Sequence, residues 1–230
     1  MQFSTLNESD LHNSIKILYS ETYEGTTEVE QDGHIYDIVT KNGNVIEIQT
    51  ANLAKLLPKI EDSISKKHNV KLVHPVCITK RIALYDNKGT LISKRKSPKK
   101  GNIFDIFKEL TGIYTLLLNP HFSLEIVEIE MTEVRLRTDN LVQTLNKRRR
   151  FRKNWIKTNK KLDSILNTRI FNSKEDYTNL LPPLPENFCA KDLNKAAKIS
   201  NGNLVLWVLV RMGVIAQTEK KGNTKYYKIT

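Results

Sequence analysis

The sequence predicts an α/β sandwich on a mixed central sheet, with a smaller helix–helix–hairpin module behind it. Three observations lead there. Helical and strand periodicities alternate as helix, three strands, helix, strand, helix, strand over residues 8–137. Lys41-Asn42-Gly43-Asn44 puts an Asn-Gly turn between two apolar runs, a strong hairpin signal. Residues 188–230 change pattern, to two short helices and a basic hairpin. At 230 residues the chain accommodates one large or two modest domains.

The elements follow in order. Leu11, Ile15, Leu18 and Tyr19 recur at helical spacing and predict a helix over 8–20. Strands are expected at 27–31, 34–40 and 44–50. Leu53, Leu56, Leu57, Ile60 and Ile64 line one face of a helix over 53–67, where Pro58 is tolerated only in a first turn or at a kink. The β-branched run from Val70 to Thr79 suits a buried strand. Residues 81–85 and 90–93 read as a hairpin around Asn87-Lys88-Gly89, and 102–118 as a helix. Residues 122–137 alternate as one long half-buried strand. The stretch from Arg135 to Lys161 carries many Lys and Arg against one acid, Asp139. A helix through 154–171 is expected there, and the proline-rich Leu180 to Pro185 segment reads as a stiff boundary. In the last module Ala190 to Ile199 is one helix. Asn201 or Asn203 caps a second, which ends with Gly213 at its C′ position. This divides the chain into a domain at 1–140, a basic helical linker at 141–187 and a winged helix-turn-helix at 188–230.

Lys and Arg total 37 against 25 Asp and Glu, a net charge of +12. Such an excess argues for a polyanionic partner. No apolar run approaches the ~20 residues that span a bilayer, and the polar N-terminus shows no signal-peptide pattern. A nucleic acid is therefore the expected partner, with no membrane. Cys77 and Cys189 match no metal-ligand spacing and read as reduced thiols of a cytoplasmic protein. The GxGxxG, P-loop and HExxH patterns are absent.

Each strand of the Asn-Gly hairpin carries one carboxylate among apolar neighbours: Asp37 on the first, Glu47 on the second. A carboxylate there costs free energy unless it is paired or binds a cation. Gln49 repeats on the strand face of Glu47. Asp37 and Glu47 can converge on one divalent metal, and hard carboxylate oxygens select Mg²⁺ or Mn²⁺. The plain alternative is a pair of ordinary sheet-edge carboxylates. His12 and His74 are read as structural hydrogen-bonders rather than catalysts.

The Asp37…Glu47-Ile48-Gln49 pattern, after an N-terminal helix carrying Glu8, resembles the PD-(D/E)xK nuclease superfamily. Restriction endonucleases and Holliday-junction resolvases belong to it. The resemblance implies a restriction-endonuclease-like αβββαβ core and metal-dependent DNA endonuclease activity. It implies Asp37 and Glu47 as metal ligands, Glu8 as a third, helix-borne acid, and a catalytic role for Gln49. Gln49 stands where the motif has Lys, and it is neutral; it can still orient water or donate to a phosphate oxygen. The whole chain also resembles an uncharacterised bacterial family through Asp37-Ile38-Val39, Glu47-Ile48-Gln49-Thr50 and Arg211-Met212-Gly213-Val214.

Two basic runs flank that core. Lys94, Arg95, Lys96, Lys99 and Lys100 form one; Arg148, Arg149, Arg150, Arg152 and Lys153 form the other. Both are expected to contact phosphates, which sets register without reading sequence. Phe151 and Trp155 lie where bases could stack. Lys220 and Lys221 are assigned to a phosphate-touching wing. The segment from Leu204 to Val210 is too apolar for major-groove readout, so that module is expected to touch either DNA or protein. Two sites cutting two strands would suit a homodimer. A non-catalytic DNA-binding or regulatory protein on a decayed nuclease fold is the competing expectation, and an RNA-processing nuclease is a third.

Overall fold

A computed structural model describes residues 9–143 and 152–230. It shows a mixed α/β architecture around a mixed sheet. Helix α1 (Asp10–Thr22) leads into β1 (Thr26–Gln31), β2 (His34–Val39) and β3 (Val45–Ile48). A single 3-10 turn (Leu53–Leu56) opens α2 (Leu57–Ser65), with Pro58 in the first turn, where its missing N–H costs nothing. Then come β4 (Val70–Tyr85), β5 (Leu91–Lys96), another 3-10 turn (Ile103–Ile106), α3 (Phe107–Leu110), β6 (Phe122–Val142) and β7 (Lys153–Phe171). Helices α4 (Lys174–Asn179), α5 (Ala190–Ala197) and α6 (Gly202–Arg211) precede the hairpin of β8 (Ile215–Lys221) and β9 (Thr224–Ile229).

The large sheet runs β1-β2-β3-β4-β6-β7, with β5 paired to β4. The β1–β2 and β2–β3 pairs are antiparallel; β3–β4 and β4–β6 are parallel; β6–β7 is antiparallel. Its two faces bury separate cores. Leu11, Ile15 and Tyr19 of α1 pack with Ile38, Ile46, Val73 and Val127. Tyr36, Val45 and Leu72 face α2 and α3 on the other side. The near-continuous apolar runs of β3 and β4 follow, since a strand buried on both faces cannot alternate.

Three expectations need correction. Residues 154–171, expected to be helical, lie in β7, which pairs along its length to β6. The helical linker over 141–187 is therefore not one; it includes this edge strand and α4. Non-local pairing overrides a weak local preference there, and Ile156, Thr158, Ile165, Thr168 and Ile170 are β-branched. The break expected at 140 falls inside strand β6. The helix expected over 102–118 reduces to a 3-10 turn and the four residues of α3, then turns.

The C-terminal elements share the core of the α2 and α3 side. Val205, Leu206, Val208 and Leu209 of α6 are buried in the same cluster as Phe104 and Phe107. Asn102 Nδ2 donates to the Ala197 carbonyl at 3.1 Å, and Asn201 Nδ2 to that of Phe104 at 3.0 Å. This docking explains why α6 is so apolar. Gly213 (φ 65°) closes α6 as expected: its amide donates to Val210, and that of Val214 to Leu209. Among the described residues no helix is long and apolar enough to cross a membrane.

Candidate functional site

Strand β2 turns over at Asp37. Tyr36 faces α2, where its hydroxyl meets Ser63 Oγ at 2.7 Å, whereas Ile38 faces α1. Residues two apart on a regular strand share a face, so the pleat breaks between them. Ladder pairing with β3 accordingly ends at Ile38↔Ile46. Side chains replace the missing ladder bonds. The Ile48 amide donates to Asp37 Oδ2 at 2.7 Å, and the Ile48 carbonyl accepts from His12 Nε2 at 2.7 Å. A carbonyl only accepts, so Nε2 carries the proton. The Asp37 amide in turn reaches Glu47 Oε1 at 3.4 Å.

The structure thus brings Asp37 and Glu47 together at the open end of the hairpin, and gives them opposite protonation tendencies. Burial pushes Glu47 up to about 7, helped by the Asp37 charge and only partly offset by Lys59. Burial also works against ionised Asp37. The His12 hydrogen bond, the Ile48 amide and the charges of His12 and Lys16 outweigh it and hold Asp37 below the usual carboxylate range.

Lys59 is the residue that sequence reasoning missed. Its ammonium donates to Glu47 Oε1 and to the Ile35 carbonyl, both at 2.6 Å, and lies 4.8 Å from the Tyr36 ring centroid. The sequence offers no distinguishing signal beyond a lysine after Pro58 at a largely apolar helix start. Gln49 does not supply that charge. Its backbone bonds to Val73 and His74, and its side-chain amide has no hydrogen-bond partner among the described residues. His74 is nine-tenths buried, and burial holds it below its ordinary value, as suits a structural hydrogen-bonder. Glu8 lies outside the described residues.

The site offers few protein ligands for a cation. Among the described residues no three His, Cys, Asp or Glu side chains gather as a metal site. Two carboxylates remain, and Mg²⁺ is commonly held by one or two, with water and substrate oxygens completing its shell. The neighbouring Ile48 carbonyl accepts from His12 Nε2 at 2.7 Å.

The first basic run lies on the same sheet edge. Along β4, β3 pairs with Val70–Val73 and β5 with Arg81–Tyr85. Between them, residues 97–101 are fastened by the Ser97 amide to Lys80 at 2.8 Å and the Gly101 amide to Ile78 at 3.0 Å. A Cβ on Gly101 would lie 1.9 Å from the Cys77 carbonyl oxygen, so only glycine allows this approach. Lys94, Arg95, Lys96, Lys99 and Lys100 are exposed. From Val73 to Ile78 the strand covers roughly 16 Å. Arg152 is exposed, and Lys153 lies 4.0 Å from the Trp155 ring centroid. Arg148, Arg149 and Arg150 are outside the described residues. Lys220 and Lys221 are exposed on β8, far in sequence from the carboxylates, with Lys221 paired to Glu219 at 2.8 Å.

A family model described as a domain of unknown function, DUF8091, matches residues 9–172. The chain belongs to the DUF8091 family. That match runs from the α1 cap through the end of β7, so the DUF8091 unit contains Asp37, Glu47 and Lys59 and stops before α4. An uncharacterized protein of Treponema pallidum (strain Nichols) is 31% identical over 229 residues, covering 99% of this DUF8091 protein and 88% of the relative. No solved structure matches.

Proposed function

We propose that the protein is a metal-dependent endodeoxyribonuclease whose first unit has a PD-(D/E)xK-type core and whose last forty or so residues are a winged helix. The observation that carries this reading is the pairing of Asp37 and Glu47 where β2 and β3 part, with Lys59 against Glu47. The element order helix, three strands, helix, strand supports it, as do an antiparallel first hairpin and the parallel β3–β4 pair. A helix pair followed by a hairpin supports the second part.

Each residue has a definable role. Asp37 and Glu47 would hold Mg²⁺ or Mn²⁺, which when bound neutralises phosphate charge and lowers the pKa of a coordinated water. Asp37 stays ionised and keeps its orientation through the Ile48 amide and His12. Glu47, near neutrality, is poised to take up or release a proton. Lys59 brings from α2 the positive charge that Gln49 lacks. The exposed basic loop at 94–100 would hold the flanking backbone.

The test is a cleavage panel with Mn²⁺ or Mg²⁺ on duplex, single-stranded and branched DNA and on RNA. Cutting is expected on DNA and should vanish in Asp37→Ala; cutting that survives that substitution refutes the assignment. RNA-only cutting would favour an RNA-processing nuclease.

One observation favours a second reading, a non-catalytic DNA-binding protein on a decayed nuclease fold. Lys59 and the Ile48 amide already satisfy the two carboxylates. Calorimetry with Mn²⁺ separates the two: the nuclease reading expects a binding heat that Glu47→Ala abolishes, the second reading none.

A further inference from the structure

The sheet carries a second concentration of charge away from the carboxylates. Strands β4, β6 and β7 bring Lys80, Arg135, Lys157 and Lys160 onto one face around Glu133, which is 1% exposed. Glu133 Oε1 accepts from Arg135 Nε at 2.7 Å; Oε2 lies 2.8 Å from Lys157 Nζ and 3.4 Å from Lys80 Nζ. One anion therefore serves three cations. Burial opposes its charge, yet Lys157 and Arg135 hold it down at about 2. Lys160, directly across the ladder from Glu133, is half-buried, and its ammonium has neither hydrogen bond nor ion pair among the described residues. Glu130 and Asp163 do not correct the imbalance, because both lie against Arg81, at 3.5 and 3.4 Å, and Asp163 also takes the Thr132 hydroxyl.

The cations form a row. Register pairs Glu133↔Lys160, Arg135↔Lys157 and Arg137↔Trp155, and an irregularity between Val134 and Arg135 keeps Lys160 and Lys157 on one face. The Arg135 guanidinium stacks 3.6 Å from the Trp155 ring centroid, with Lys153 at 4.0 Å. From Lys160 to Lys153 the row is roughly 23 Å long, several times the reach of one phosphate. Its inner end lies under the start of α1, where the Asp10 amide donates to Asn159 Oδ1 at 3.0 Å. Two residues further along α1, His12 holds Ile48 beside Asp37. β3 and β7 are three strand spacings apart, roughly 14 Å.

We propose that this row, from Lys80 and Lys160 around Glu133 through Lys157 and Arg135 to Lys153, is a binding track for the phosphodiester backbone of a nucleic acid strand. The excess charge and the length call for a polyanion. Half-buried Lys80, Lys160 and Arg135, in line with the exposed Lys157, suit a thin strand lying along the sheet better than a broad lipid surface. Glu133 fixes three of the cations in place, which lowers the ordering cost when a strand binds. The binding stands by itself; only the inference that the track leads to Asp37 and Glu47 rests on the nuclease reading.

The experiment is fluorescence anisotropy on the full chain in EDTA, with a fluorescein-labelled 20-nucleotide single strand and the matching duplex, across a salt series. Lys157→Gln/Lys160→Gln should weaken binding about tenfold and reduce the log–log salt slope by roughly 1.4–1.8, as loss of two phosphate contacts demands. Lys160→Gln alone removes no ion pair, so it should fold normally and lower the slope by roughly 0.7–0.9. Lys88→Gln, in the exposed β4–β5 turn, should bind as the parent does. Unchanged affinity and slope in Lys160→Gln with an unaltered melting temperature overturns the track. So does an equal loss in Lys88→Gln, or binding to phosphatidylserine vesicles with none to either oligonucleotide. Failure of the nuclease reading shows up elsewhere, as no Asp37-dependent cutting with Mn²⁺, and leaves binding in EDTA intact.

Discussion

The Lys59 ammonium lies 2.6 Å from Oε1 of Glu47, a residue only 4% exposed, and so α2 supplies the counter-charge for a carboxylate carried by β3. Removing one partner of a buried pair leaves the other uncompensated, which commonly costs more than the pair contributes. Lys59→Met should therefore destabilise the protein by roughly 2 kcal/mol at pH 8. The loss should shrink at pH 6, where Glu47 escapes by taking a proton. Urea unfolding at the two pH values measures both; a pH-independent loss would point to packing instead.

Glu47 itself predicts a pH effect. Its native value of about 7 exceeds the ordinary 4.5, so the folded state binds the proton more tightly than the unfolded chain. Its contribution to stability is complete below 4.5 and is lost as pH rises through about 7. The displacement corresponds to about 3 kcal/mol at most. Asp37, displaced downward, acts in the opposite sense at lower pH: its contribution is present above the ordinary carboxylate range and is lost on further acidification. His74, held low by burial, gains the folded state stability as pH rises through the ordinary histidine range. Comparing the parent with Glu47→Gln cancels both. Between pH 5 and 8 the parent should lose about 2–3 kcal/mol more than the variant. Parallel stability curves would contradict the proposed burial of Glu47.

Gly101→Ala forces a methyl group into the Cys77 carbonyl oxygen. Overpacking against backbone costs about 2 kcal/mol, which in a chain of this size lowers the melting temperature by roughly 4–8 °C. The loop bearing Lys99 and Lys100 should also loosen, so tryptic cutting there should accelerate. A variant that melts and digests like the parent would show that the loop does not hug β4.

The C-terminal elements should unfold together with the sheet, because Val205, Leu206 and Leu209 share a core with Phe104, Phe107 and Leu110. The chain has two tryptophans, Trp155 on β7 and Trp207 on α6. Trp155→Phe leaves fluorescence that reports on α6, and Trp207→Phe leaves a probe of β7. Denaturant midpoints from the two probes should coincide. Midpoints clearly apart would mean that the C-terminal elements fold as a separate unit.

The legible part of the fold was the part whose signals are local. The Asn42-Gly43 turn, the helical spacing of Leu11, Ile15 and Tyr19, the apolar run after Val70 and the closing Gly213 each state their structure within a few residues. β7 did not. Its pairing with β6 joins residues up to 47 apart, such as Leu124 and Phe171, and its own composition is basic and nearly uncommitted. Of the candidate site, Asp37 and Glu47 were readable because a carboxylate among apolar neighbours on a strand demands an explanation. Lys59 and the His12 contact to Ile48 were not, since a lysine in a helix is ordinarily a solvated one.

The residue order alone determined where α1 coils, where the strands up to β4 pleat, where the first hairpin turns, and that the chain as a whole is cationic. Those properties follow from backbone sterics, side-chain period and composition. The tertiary structure decided which charges meet: Lys59 with Glu47, His12 with the Ile48 carbonyl, and three cations with Glu133. Electrostatic partners depend on distance and burial, which exist only once the sheet has closed and water has been excluded from between its strands and helices.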